Sequence, residues 1–284
     1  MVEQIAVNGL LAGLIYVIMA LGFTLIFGIM RIVNFAHGEF YMVGAMVVLV
    51  IFGQLAWPFP IAVCAGGVVA GLLGVLLERG LLRPLIREEM PSMIMTLAIG
   101  IILQSLALIL FGPAEQTVPR PFSGTWSLFG AVVPWDRTMV GASAIVILAV
   151  FYSFLKFTRL GLAMQAVAQD RDTASLMGVE SGRIYSAAFG IGSLLAGLAG
   201  ALMAPVYSIG PYMGEQPMLK AFVVVILGGL GSVPGAVLGG LLIGISESVL
   251  STLLDATAAL IASFAIVLVV VVIRPTGLMG RGAR

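Results

Sequence analysis

Long apolar runs, broken by short charged or proline-bearing segments, set the pattern of this chain. Read between charges and prolines, the runs are 5–30, 40–56, 60–77, 92–111, 138–156, 184–204 and 218–273. A bilayer core about 30 Å thick takes about 20 apolar residues of helix. Each of the first six runs therefore predicts one spanning helix. The last run is 56 residues long (273 − 218 + 1). One crossing would waste most of it. Three crossings, over 218–230, 234–251 and 257–273, use it with short helices and tight turns. The prediction is an all-α polytopic membrane protein of eight or nine transmembrane helices, at least one of them half-length or re-entrant.

Composition agrees. The hydrophobic fraction is 61% and charged residues are 10%, against about 25% charged in a soluble domain. Too little polar surface remains to wrap a soluble core of this size. A net charge of +1 gives no basic surface for nucleic acid. One cysteine, Cys64, and one histidine, His37, exclude an internal disulfide and make a zinc site improbable, so no metal site is expected. Cys64 sits in an apolar run and reads as a small lipid-facing or packed residue. The opening Met-Val-Glu-Gln lacks a cationic stretch, and the run after it is too long for a signal-peptide core.

The Lys/Arg distribution predicts orientation. Segments 31–39, 78–91, 157–183 and the C-terminus, with Lys156 at the membrane edge, carry Arg31, Arg79, Arg83, Arg87, Lys156, Arg159, Arg171, Arg183, Arg274, Arg281 and Arg284. The opposite side carries Arg120, Arg137 and Lys220. Eleven against three places the first side in the cytoplasm and the N-terminus outside. Segment 112–137 then becomes the largest external loop, with Trp126 and Trp135 suited to the headgroup belt. The pairs Gly9/Gly13, Gly67/Gly71, Gly235/Gly239 and Gly240/Gly244 have the spacing that lets helices approach closely in lipid, within the chain or against a second subunit.

Three segments carry candidate chemistry. In 31–41 (Arg-Ile-Val-Asn-Phe-Ala-His-Gly-Glu-Phe-Tyr), Asn34, His37 and Glu39 are polar groups beside the first two spans. Two readings stand. Gly38 breaks a helix at membrane depth and exposes backbone to the translocation path, or the segment is a cytoplasmic turn whose Asn and Glu cap the second helix. In 157–183, Gly161 precedes a short helical pattern ending near Gln169. Asp170 or Asp172 caps a second short helix, 173–177, which Gly178 closes. Exposed Leu176, Met177 and Val179 make this loop a docking knob or, failing that, a cover lying on the membrane surface. In 228–235, Gly228, Gly229 and Gly231 read as a sharp turn, with Pro234 starting the next helix. A dinucleotide fingerprint is excluded there, because no βαβ unit surrounds it. Glu247 and Asp255 flank the following turn and are either interfacial or bundle-facing. No nucleophile–base pair and no phosphate loop are present, so no catalytic residue is expected, and energy must come from a gradient or a partner.

Together these segments resemble the LivH-type permease subunit of ABC importers for branched-chain amino acids. The resemblance rests on Asn34-Phe-Ala-His-Gly-Glu, on Arg159-Leu-Gly … Asp170 … Ala174 … Met177-Gly-Val, on Lys220-Ala-Phe … Gly228-Gly-Leu-Gly-Ser-Val-Pro-Gly-Ala and on Glu78-Arg … Leu82-Arg-Pro-Leu, and it covers nearly the whole chain. It implies one permease domain over 1–284, in the bacterial cytoplasmic (inner) membrane. It implies a heterodimeric pore with a LivM-type second permease, two cytoplasmic ABC ATPases and an extracytoplasmic substrate-binding protein. ATP-Mg would sit on the ATPases, with no cofactor on this chain. The coupling loop would be placed by Arg159, Gly161, Asp170, Ala174 and Gly178, with Leu176 and Met177 filling a cleft on the ATPase. Asn34, His37, Gly38, Glu39 and Glu247 are the candidates for the translocation path. Relatives with this pattern suit urea, short amides or other small acids as alternative cargo. A rival from another class is a gradient-driven secondary transporter using His37, Glu39 or Glu247, against which the scarcity of buried charge weighs.

Overall fold

A computed structural model of the chain describes residues 2–86, 88–128 and 130–280. Arg87, Arg281 and Arg284 of the charge count lie outside the described residues. Eleven α-helices follow in order. They are α1 (Val2–Met30), α2 (His37–Val48), α3 (Phe59–Leu77), α4 (Glu89–Phe111), α5 (Trp135–Phe157), α6 (Arg159–Gln169), α7 (Arg171–Leu176), α8 (Ser181–Met203), α9 (Glu215–Gly228), α10 (Val233–Leu253) and α11 (Ala256–Ile273). A π-helical turn, Leu49–Gln54, prolongs α2, and another, Glu78–Leu82, prolongs α3.

Among the described residues, seven helical stretches are long and apolar enough to cross a membrane. The α11 helix adds an apolar 18 residues. The α9 helix has 14 residues, about 21 Å of rise, short of a bilayer core. The last apolar run thus does form three helices, one of them half-length. Leu278 and Met279 return from the end of α11 to donate backbone bonds to Leu227 and Gly228 at the end of α9.

Close helix contacts at glycine replace the hydrophobic force that lipid cannot supply. Antiparallel α1 and α10 meet at two of the expected pairs. A Cβ on Gly9 would lie 2.8 Å from Ile245 Cα, and one on Gly13 would lie 3.1 Å from both Gly240 O and Leu241 Cα. Gly67 and Gly71 face Leu198 and Leu194 of α8. These pairs are therefore contacts within the chain. Equally intimate crossings lie at Gly44 against Gly197, Gly200 against the Tyr41 carbonyl, and Gly38 against Gly214. They pin α2 between α8 and the start of α9. The central helices α1 and α8 are the most buried spans, whereas α4, α5 and α10 turn most of their surface outward. Cys64 on α3 is exposed on that outer surface.

Segment 112–134 is not wholly irregular. A two-stranded hairpin, β1 (Thr125–Leu128) and β2 (Ala131–Pro134), forms there, and α5 begins three residues earlier than its apolar run. Trp126 and Trp135 stack at 5.5 Å, and Trp126 Nε1 donates to Thr138. The sequence gives no hairpin signal here, because Phe129-Gly130 between the two strands is not a strong hairpin dipeptide.

Contacts sort the polar segments onto two ends of the bundle. One end gathers Arg31, Ile86, Glu89, Arg171 and Tyr185 around one groove, and Gly28 lies against Gly231 there. The other end joins Gln4 to Val132, Gln116 to Ile209, and Arg120 to Asp136. Two placements change. Lys220, counted with the external charges, lies on α9 and turns toward Glu247 of α10. Residues 33–39 leave the Arg31 end and dip into the bundle.

Candidate functional site

The α1 helix ends at Arg31, whose φ of 58° is the left-handed turn usual for glycine there. The chain then re-enters the bundle without helix. Asn34, 1% exposed, accepts from the Ala36 N–H through Oδ1. Thr96 of α4 accepts from the Phe35 N–H and donates to the Val33 carbonyl. The α2 helix starts at His37, beside the middle of α1. His37 Nε2 donates to the Met19 carbonyl at 3.0 Å, eleven residues (30 − 19) before the end of α1. That is about 16 Å of helix rise. The non-helical stretch is 31–36 and Gly38 lies in the first turn of α2, so Gly38 does not break the helix. Neither Asn34 nor Glu39 caps α2 through its side chain, and Asn34 instead braces the stretch before it.

Glu39 instead points to α4 and accepts from Gln104 Nε2 at 2.9 Å, with Glu215 of α9 at 3.5 Å from the same nitrogen. Gly38 lets this start approach Gly214, where a Cβ would also meet Met218. Asn34 Nδ2, His37 Nδ1 and Glu39 Oε2 have no hydrogen-bond partner although buried. Four of the predicted path residues, Asn34, His37, Gly38 and Glu39, thus come together around the start of α2. The fifth, Glu247, does not join them.

Glu247 belongs to a second polar cluster. Lys220 Nζ donates to Glu247 Oε1 at 2.5 Å and to Tyr16 Oη at 2.7 Å. Tyr16 Oη donates to Glu247 Oε2 at 2.8 Å. The ammonium also sits 4.9 Å from the centroid of the Tyr16 ring. Sequence reasoning missed Tyr16 and counted Lys220 among the charges of the external side. A usable signal existed, because a cation and an anion within one apolar stretch seek each other.

A third cluster was missed altogether. Glu78, with no side-chain exposure, accepts from Ser186 Oγ at 2.5 Å and lies 3.6 Å from Arg83 Nε. Arg83 Nη2 donates to Ser186 Oγ and to the Gly182 carbonyl. These bonds tie the π-helical turn after α3 to the first turns of α8. Such turns recur at functional sites.

The segment between α5 and α8 forms two helices with sharp ends. Thr158 caps α6 by accepting from the Gly161 N–H at 3.0 Å. Gly161 is required by packing, since a Cβ there would lie 2.6 Å from Leu155 Cα. Asp170, not Asp172, caps α7, accepting from the N–H groups of Asp172 and Thr173 and from the Thr173 hydroxyl. The Thr173 hydroxyl, then its N–H, hold the Asp170 carboxyl below the ordinary carboxylate range. The α7 helix covers Arg171–Leu176, two residues earlier than predicted, because this cap starts it at Arg171. Gly178, with φ of 86°, closes it and Val179 donates back to Ala174. Ala174 is buried, whereas Leu176 and Met177 are 87% and 82% exposed. Arg159 is exposed at the start of α6.

A groove of about 520 Å³ opens beside these helices, lined in part by Arg31, Glu89, Gln169, Arg171, Asp172 and Tyr185. The turn after α9 is as expected. Gly229 and Gly231 have φ of 104° and 79°, Gly228 packs on Gly235, and Ser232 caps α10, with Pro234 in its first turn. Asp255 caps α11 by accepting from the Ala258 N–H. Among the described residues, no group of three His, Cys, Asp or Glu side chains is placed to hold a metal ion.

Residues 5–273 match the family model for the branched-chain amino acid transport system permease component. The chain is 32% identical over 289 residues to the high-affinity branched-chain amino acid transport system permease protein LivH of Escherichia coli K12, covering 96% of this chain and 94% of the relative. It is 32% identical over 293 residues to the permease protein BraD of Pseudomonas aeruginosa, covering 98% and 95%. To the permease protein LivM of Escherichia coli K12 it is 27% identical over 293 residues, covering 94% of this chain and 68% of that one. No solved structure matches it.

Proposed function

The chain belongs to the permease component family of branched-chain amino acid transport systems, and we propose that it works as one half of the pore of an ATP-driven importer. The other half is a LivM-type permease. Two ATPases dock at the end of the bundle that carries Arg31 and α7, and a substrate-binding protein delivers cargo at the end that carries the β-hairpin. That assignment puts the Arg-rich end and the C-terminus in the cytoplasm of a bacterial cell and the N-terminus outside. Nucleotide binds the partner ATPases and not this chain.

The observation that carries this reading is α7. A two-helix projection at a bundle end carries two large apolar side chains, Leu176 and Met177, that almost nothing in the chain covers. Exposed apolar patches with polar surroundings mark protein contacts. The projection is continuous with α8, the most buried span. Force applied at α7 therefore reaches the core helix, and through Gly182, Ser186 and Arg83 it reaches the end of α3. Alternating access needs such rigid-body transmission.

Replacing Asp170 with Ala and Gly178 with Val tests the reading. The first removes the cap of α7, and the second forces a β-branched residue into a left-handed turn that costs about 1–2 kcal/mol. The expected result in the assembled complex is loss of substrate-stimulated ATPase activity with the membrane helices intact. Coupling that survives both changes would overturn the docking role of α7.

A further inference from the structure

The Tyr16–Lys220–Glu247 cluster does not explain itself as a brace. Tyr16 is the midpoint of α1, 14 residues from either end (16 − 2 and 30 − 16). Charges at such a depth are costly in lipid and face the bundle interior or water. A pair kept only for stability is replaceable by apolar side chains at little cost. This pair is also not sealed. The Lys220 and Glu247 side chains are 21% and 23% exposed, so both charges of this pair are partly open, whereas Glu78 beside Arg83 is itself at 0%. The open side is therefore reachable from outside this chain. Lys220 stands in the second turn of α9, the short helix of the last apolar run.

We propose that Tyr16, Lys220 and Glu247 form a contact site on the translocation path for the head group of a zwitterionic α-amino acid. The proposal rests on the transport reading above and specifies its substrate class. An α-amino acid carries a carboxylate and an ammonium on one carbon. The carboxylate accepts from Lys220 Nζ and Tyr16 Oη, and the ammonium donates to Glu247. The solute thereby exchanges partners with an existing ion pair and leaves no charge unpaired, which keeps entry and exit inexpensive. Urea and short neutral amides have neither charge and gain nothing from the exchange. In the antiparallel α1–α10 seam Val17 lies against Gly240 and Gly9 against Ile245, so Tyr16 and Glu247 stand at different levels and meet through their side chains.

The test uses the complete complex in liposomes, with its binding protein and interior ATP. Uptake of labelled leucine and ATPase activity stimulated by loaded binding protein are measured together. In the double variant Lys220→Met, Glu247→Gln, both charges go and neither partner is left unpaired. Leucine uptake should fall about tenfold or more, the worth of two charge-assisted contacts, while ATPase stimulation persists. Uptake within twofold of wild type, about 0.4 kcal/mol, would overturn the site. If that variant does not assemble, Lys220→Arg with Glu247→Asp keeps the ion pair and alters its geometry. Lower leucine uptake at unchanged ATPase stimulation then supports the site, and unchanged uptake overturns it. A wild-type complex that takes up no branched-chain amino acid would instead defeat the transport reading itself, before either variant is compared.

Discussion

At the scale of single residues, the polar groups inside this apolar bundle differ in what holds them. Glu78 is buried and tied to Ser186 and Arg83, which makes it a clamp between α3 and α8. Ser186→Ala would leave the Glu78 carboxylate without its closest donor. A cost of about 1–3 kcal/mol is expected, read as a lower midpoint of unfolding in detergent. An unchanged midpoint would mean that Arg83 alone satisfies Glu78. Glu39 Oε2 and His37 Nδ1 are buried without a hydrogen-bond partner, as is Glu78 Oε1, whose carboxylate is nonetheless held by Ser186. Asn34, His37 and Glu39 were legible in the sequence because polar residues stand out beside an apolar run. Tyr16 and Ser186 were not, since each is an ordinary residue until a charge from another helix arrives beside it. Glu78 was legible only as part of a motif, because Arg79 and Arg83 beside it look like a solvated turn.

At the scale of elements, the start of α2 and the α6–α7 projection carry the functional argument. The α2 helix is held by backbone contact at Gly44, where a Cβ would lie 2.7 Å from Gly197 Cα and closer still to the Gly197 carbonyl. Gly44→Leu should therefore displace α2 from α8. Overpacking of this kind costs about 1–3 kcal/mol or more and should appear as loss of monodisperse protein on size-exclusion chromatography. Wild-type behaviour of that variant would show that α2 is free to move away. In α7, the Asp170 cap predicts a pH response. Its folded pKa lies below the ordinary value of 3.8. The cap therefore contributes fully above that value and is lost only as pH falls through the folded one. ATPase coupling should show no step assignable to this cap between about pH 5 and 8, and Asp170→Asn, which keeps an acceptor, should retain it where Asp170→Ala does not. The sequence made these short helices readable through Gly161, Asp170 and Gly178, because caps are local signals. The depth at which α2 begins was not readable, because it depends on α1, α4 and α9 meeting around residues 33–39.

For the whole molecule, hydropathy alone located the apolar helices, because lipid demands long apolar helices. Seven of the described stretches are long and apolar enough to cross, against eight or nine expected. The half-length α9 was expected, as 56 residues cannot hold three full spans and their turns. The charge count grouped the segments correctly by end, apart from Lys220 and the dipping residues 33–39. Both exceptions have one physical cause: polar groups here turn inward to partners within the bundle. On the proposed reading, the exposed tip of α7 receives force from a partner. The direct measurement is leucine uptake into liposomes holding the complete complex, with ATP inside and no ion gradient, compared with an ion gradient and no ATP. ATP-dependent uptake that needs the partner subunits is the predicted result. Uptake driven by an ion gradient through this chain without ATP or partners would contradict the account.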